Sequence, residues 1–286
     1  MKKFLIFFLV LTINVVLAEP HYVKVDGRQY AVLQQGSKKP RILFFNDAGK
    51  SFTAWGKVIA ALPKKQAIFA YNRAGIAGST SLTNQVTPRT AKGVVTRLHT
   101  LLKVSKVNAP YILVAHAIGS LYALYYARVY PNEVRGLVLI EPNVDAMLVL
   151  SKLKNLTEKQ QAILTKLIQQ INYNLLNEKR RFVEYRSAIK HQPTAKESMK
   201  IALYLESLGK IKSQQEIDAL PPLKNIPVIV LVNASGSSQY DKMKRLAAKE
   251  ITQSVISGKY EEIKESDDYV QQDIPKVVTT AINTIL

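Results

Sequence analysis

Cysteine is absent from all 286 residues. That excludes disulfides, thiolate metal ligands and a cysteine nucleophile. Histidine is scarce, with four residues at positions 21, 99, 116 and 191. They form no His-x-x-x-His pair and no spaced cluster with aspartate, so neither a metal site nor a cofactor is expected. Phosphate-cradling loops are missing too, because no strand-to-helix junction carries the three glycines of a dinucleotide fingerprint. Acidic residues number 21 against 40 basic ones. Tryptophan occurs once, as Trp55. Internal repeats and low-complexity tracts are absent.

What is present begins with a distinct leader. Lys2 and Lys3 precede an apolar run over 4–17 that only Thr12 and Asn14 interrupt. The run is shorter than the ~20 residues that span a bilayer. Small residues before Glu19-Pro20 complete the pattern of a signal peptide cut near Ala18. The expected product is a periplasmic or secreted chain held together by its core alone. Losing Lys2 and Lys3 leaves a net charge of +17 with histidine neutral. This charge is spread evenly, which argues against a nucleic-acid arm and leaves weak association with anionic surfaces.

The remaining chain alternates strand and helix patterns. Residues 22–25 and 29–33 flank Asp26-Gly27, a hairpin signal. Apolar strands are expected over 41–45, 67–71, 111–116, 136–140, 228–232 and 259–264. Helical spacing marks 52–62, 90–104, 119–129, 240–251 and 274–286. Between the sixth and seventh strands the pattern is helical only. There Thr157 and Gln160 read as a capping box before an apolar stripe at 163, 164, 167, 168, 171 and 175. The expected division is a leader over 1–18, an α/β core over 19–142 and 223–286, and a helical cap over 143–222. Such alternation argues for a doubly wound, mainly parallel sheet.

One stretch organises this pattern. The strand over 111–116 runs into Ala115-His116-Ala117-Ile118-Gly119, and a helix follows at once. Strand, sharp turn and helix make the context of a nucleophile elbow. Other segments agree with it. They are Tyr71-Asn72-Arg73-Ala74-Gly75-Ile76-Ala77-Gly78-Ser79, Tyr130-Pro131 before Val134 and Gly136, Ile226-Pro227-Val228, and Asp267-Asp268-Tyr269 before Asp273-Ile274-Pro275. In this order the segments resemble the alpha/beta-hydrolase superfamily, whose elbow reads Gly-x-Ser-x-Gly.

The resemblance implies a triad in the order nucleophile, acid, base. Here the nucleophile position is Ala117, the acid position falls at Gly236, and the base position is Asp268. A methyl group can neither attack a carbonyl nor be activated by a base. The oxyanion loop, His-Gly in the family, reads Asn46-Asp47-Ala48. A carboxylate there opposes developing negative charge, where each donor is worth ~3 kcal/mol to a hydrolase. His116 and His99 read as packing residues, Ser120 as facing the helix interior, and His191 as a lid residue. The expectation is a fold that has lost catalysis. It would retain a pocket lined by Asn46, Asp47, Ala48, His116, Ala117, Ile118 and Asp268 for a small or lipid-like ligand, or would bind a protein partner. The alternative is an esterase- or lipase-like hydrolase with displaced catalytic residues.

Overall fold

The computed structural model describes residues 19–286 apart from 83–86, 144–156, 190, 224, 265, 267 and 268. The leader over 1–18 and Asp268 therefore lie outside the described residues, as do the side chains of Gln160 and of stripe positions 163, 164, 167, 168 and 171. Eight strands form one sheet in the order β1-β2-β4-β3-β5-β6-β7-β8. They are β1 His21–Val25, β2 Arg28–Gln35, β3 Lys38–Phe45, β4 Gln66–Tyr71, β5 Tyr111–His116, β6 Val134–Ile140, β7 Val228–Asn233 and β8 Gly258–Ile263. Only the β1–β2 and β2–β4 pairings are antiparallel. The β1–β2 turn has Asp26 at φ 48° and Gly27 at φ 72°. Two consecutive positive φ values are what a tight hairpin turn requires.

Strands β4 and β5 are buried at every position. A strand covered on both faces has no polar side to show, which is why they read as unbroken apolar runs. Alternate residues separate into two cores. Leu113 and Ala115 of β5 join the core that includes Leu98 and Leu101 of α2 (Ala91–Val104), Leu121 and Tyr122 of α3 (Gly119–Val129), and Ala247 of the helix Gln239–Gln253. Ile112 and Val114 join the other core with Trp55, Val58, Ile59, Val278 and Ile282. The sheet is thus covered on both sides, as the alternation predicts.

Among the described residues three helices lie between β6 and β7: α4 Glu158–Ala188, α5 Ala195–Leu208 and α6 Lys210–Asp218. The chain then continues through α7 Gln239–Gln253, α8 Val270–Asp273 and α9 Pro275–Ile285. One expected helix is divided. Residues 52–62 form a 3₁₀ turn, Phe52–Trp55, before α1 Gly56–Ala61. The Ser51 hydroxyl accepts from the Thr53 amide, and Asn72 Oδ1 accepts from Phe52 N at 2.8 Å, which hold the tighter turn. The closing helix matches its expected start within a residue: α9 begins at Pro275, which has no N–H to continue the short α8 before it, a turn the sequence reading did not mark. Among the described residues no helix is long and apolar enough to cross a membrane.

The helical insertion is fixed to the sheet by a buried ion cluster. Glu206 on α5 is fully buried. Its carboxylate accepts two bonds from Arg73, at 2.6 Å from Nε and 2.9 Å from Nη2. Arg89 Nη1 adds a third at 3.1 Å, and the Gly49 amide a fourth at 3.1 Å. Arg73 also donates to the carbonyls of Asn46 at 3.0 Å and Asp47 at 2.7 Å. Burial alone would raise the Glu206 carboxyl; the facing Arg73, with Arg89 and the Gly49 amide, holds it below the ordinary carboxylate range. Such a cluster persists only when every charged group is paired and hydrogen-bonded.

Two outcomes are expected, both readable from the fluorescence of the lone, fully buried Trp55 during urea unfolding. Glu206→Gln should lower stability at pH 7 by about 3–5 kcal/mol, because it leaves Arg73 buried and uncompensated. A depressed folded-state carboxyl stabilises above its unfolded value, about 4.3, and that contribution fades as pH falls through the folded value. The gap between wild type and Glu206→Gln should therefore close below about pH 4. Gly119→Ala should cost about 1–3 kcal/mol by overpacking, since its Cβ would lie 2.4 Å from the Phe45 carbonyl oxygen.

Candidate functional site

The site is built from the carboxyl ends of β3, β4, β5, β6 and β7. Strand β5 ends at His116, and α3 begins at Gly119. Between them Ala117 sits at φ 48°. An L-residue in this region bears a cost of roughly 1–2 kcal/mol. The turn is held by three backbone bonds. Ala117 N donates to Ile140 O at 3.0 Å, while Asn143 N and Ser120 N donate to Ala117 O at 3.1 and 3.0 Å. The backbone is that of a nucleophile elbow, and the side chain at its tip is a methyl group.

The amide after the elbow residue is where a hydrolase stabilises an oxyanion. Here the Ile118 N–H faces Asp47 Oδ1 at 3.5 Å, the long limit of a hydrogen bond. A fixed negative group thus stands at the donor. Asn46 cannot replace the missing donor. Its side chain is buried, donating to Tyr71 O at 3.0 Å and accepting from Trp55 Nε1 at 2.9 Å. Ala48 packs partly against the core. The loop carrying these residues is anchored through the Asn46 and Asp47 carbonyls to Arg73.

The acid position, Gly236, lies in the loop after β7 and offers only its carbonyl, which accepts from Arg245 at 2.7 Å. A Cβ there would meet the Asp241 carboxylate at 2.4–2.8 Å. Asp241 therefore fills the space of the missing acid, a placement the sequence reading did not foresee. It is engaged as a helix cap: Ser238 Oγ donates to Asp241 Oδ2 at 2.6 Å. That bond, together with the Ser238 amide, holds the Asp241 carboxyl below its ordinary range.

Glu141 is the acid that directly follows β6. It has φ 46° and pairs with Lys244 at 2.7 Å, and its other oxygen accepts from the Asn233 amide. Beside it, His116 is buried, with its ring centroid 5.6 Å from that of Tyr269. Burial pushes the imidazole down, and the nearby Lys244 and Lys50 ammonium groups add to this against the opposing pull of Asp47 and Glu141. Lys50 lies over the Tyr269 ring, 5.0 Å from its centroid. The sequence marks His116, but no local pattern shows that Glu141, Lys50, Lys244 and Tyr269 would gather around it.

The other histidines are placed elsewhere. His99 stacks on Tyr130 at 3.9 Å and contacts Glu133 at 3.1 Å, as a packing residue should. His191 is exposed, near Glu197 at 3.9 Å. His21 opens β1 at the sheet's far edge. Ser120 is fully buried in α3, and its hydroxyl has no partner among the described residues. Among the described residues no group of three or more histidine or acidic side chains is placed to hold a metal.

Comparisons with known proteins agree with this geometry. The family model described as alpha/beta hydrolase fold matches residues 40–251. The chain is 32% identical over 109 residues to the uncharacterized protein YqjL of Bacillus subtilis, covering 38% of this chain and 42% of that one. It thus spans under half the length of the curated relatives it matches. Among solved structures, a haloalkane dehalogenase loop variant from Bradyrhizobium elkanii superposes with a TM-score of 0.65 at 15% identity, over 93% of this chain and 96% of that one. The structure of Cfl2 from Burkholderia cenocepacia gives 0.63 at 16% identity, over 93% and 94% of the two chains. At such identities the structures speak for the fold alone. A family model covering most of the chain, and an elbow turn intact down to its positive φ, establish that the chain belongs to the alpha/beta hydrolase fold family.

Proposed function

We propose that this chain uses the fold without hydrolytic turnover, as an exported protein that binds a small or lipid-like molecule or a protein partner. One observation carries the reading. At the elbow a methyl group replaces the nucleophile, and Asp47 Oδ1 stands 3.5 Å from the Ile118 amide that should receive an oxyanion. Acyl transfer needs a nucleophile, a base in hydrogen-bond reach and unopposed donors for the developing charge. Ala117 supplies no nucleophile, and the carboxylate at Asp47 opposes the charge. The described histidines are engaged by Tyr269, Tyr130 and Glu197 or stand at the sheet edge.

Pockets at the carboxyl ends of strands persist without a triad, so ligand binding survives the loss of chemistry. The leader over 1–18 supports export, and the spread of basic charge supports weak association with anionic surfaces.

The test is steady-state hydrolysis of p-nitrophenyl butyrate by the purified protein and by Ala117→Ser. Both should run at the buffer rate. The serine variant gains a hydroxyl but no base, and Asp47 still faces Ile118 N. Turnover by wild type well above buffer would support the hydrolase with displaced residues. Recovery in Ala117→Ser of about 10²-fold or more, the size of a general-base contribution, would show that a base does await the hydroxyl.

A further inference from the structure

Away from the elbow, a cavity of about 320 Å³ opens between the β2–β4 side of the sheet and α2. Among the described residues its wall includes Arg28, Arg73, Arg89 and Arg97, and no acidic residue. Two of these cations are already engaged. Arg73 and Arg89 share the single carboxylate of Glu206. The other two are less firmly held. Among the described residues Arg97 pairs with Asp26 alone, at 3.9 Å, and the Asp26 side chain is 71% exposed. Arg28 is half-buried and makes no side-chain hydrogen bond or ion pair among the described residues.

A second observation is independent of charge. Tyr30 lines the same cavity and is 1% exposed, yet its hydroxyl has no partner among the described residues. A buried hydroxyl without a partner costs about 1–3 kcal/mol. Such an unmet donor, with the unpaired Arg28 and the loosely paired Arg97 on the same wall, is a ready recognition set for an anion. The first amides of α2 do not contribute, since Ala91 N and Lys92 N donate to Ser213 Oγ and Glu216 Oε2.

The rest of the wall is mixed: Ala74, Pro88, Val94 and the faces of Tyr30 and Tyr71 are apolar, and Thr87 and Thr90 add two polar side chains. The volume is near the lower end of the ~300–1,000 Å³ typical of ligand sites. That favours a compact molecule over a long acyl chain. Planar guanidinium groups grip carboxylates in bidentate fashion, and a phenol completes the set as a donor. We propose that this cavity is a binding site for a small organic carboxylate with an aromatic or short aliphatic body. Arg28 and Arg97 meet the charge, Tyr30 Oη donates a hydrogen bond, and the apolar wall takes the hydrocarbon part. The site is separate from the elbow and stands whether or not the crevice turns over a substrate.

The test is calorimetric titration of the full protein with phenylacetate, hexanoate and inorganic phosphate at pH 7, beside thermal unfolding. Phenylacetate or hexanoate should bind with a Kd of about 1 mM or tighter and raise Tm by mass action. Arg28→Leu and Tyr30→Phe should each weaken that binding by about tenfold, roughly one lost hydrogen bond or charge contact. Tyr30→Phe removes a group with no native partner, so its ligand-free Tm should match or exceed wild type. Three results would each overturn the assignment: no binding of either carboxylate, binding untouched by both substitutions, or phosphate binding as tightly as phenylacetate.

Discussion

Arg73 is the residue on which the arrangement of this crevice depends. Its guanidinium holds a carboxylate of the helical insertion on one side and two backbone carbonyls of the β3 loop on the other. It also lies over the Tyr122 ring at 5.3 Å. Removing two charges from water costs several kcal/mol per ion. That cost is offset only where geometry satisfies nearly all donors and acceptors, as it does here. The net stabilisation of such a cluster is modest, but its positional consequence is large. It fixes α5 over the sheet and fixes the Asn46-Asp47 backbone beside the elbow. Gly209, whose Cβ would lie 1.8 Å from Arg89 O, lets the insertion approach the start of α2 at the same place.

With that loop fixed, the site has the frame of a hydrolase and a different content. Strain at Ala117 is maintained by bonds from Ile140, Asn143 and Ser120, and Gly119 gives room for Phe45. In an enzyme such strain holds a nucleophile up to the substrate. Here it holds a methyl group. Around it the charged groups face one another: Asp47 at the Ile118 amide, Glu141 with Lys244, and Asp241 capping Ser238 in the space of the absent acid. Function belongs to such a site and not to the fold that presents it. The likeness to a dehalogenase structure therefore speaks to the sheet and not to a reaction.

Much of this was legible in the chain, and the rest has a physical reason for being hidden. The strands showed as apolar runs because burial on both faces leaves no alternation to misread, and the elbow showed because strand, small turn and helix are contiguous. The boundary after Phe52–Trp55 is hidden because helical spacing continues through it. Arg73 was visible only as a turn residue. Its partner Glu206 lies 133 positions away on an amphipathic helix, where a lone acid looks like one more solvated charge. Asp241 was overlooked because an acid three residues past Ser238 reads as a helix cap, which it also is. The gathering of Lys50, Lys244 and Tyr269 around His116 comes from three separate elements, and no local pattern encodes it. Asp268 lies outside the described residues, so its part in the site rests on the sequence.

The proposed loss of catalysis requires that no serine near the elbow be activated. Intact-mass measurement of the purified protein after prolonged incubation with excess fluorophosphonate tests it most directly. The mass should remain unchanged, because among the described residues a buried Ser120 and capping or turn serines have no base to make them nucleophilic. A stoichiometric adduct at any single serine, lost on unfolding the protein beforehand, would contradict the account.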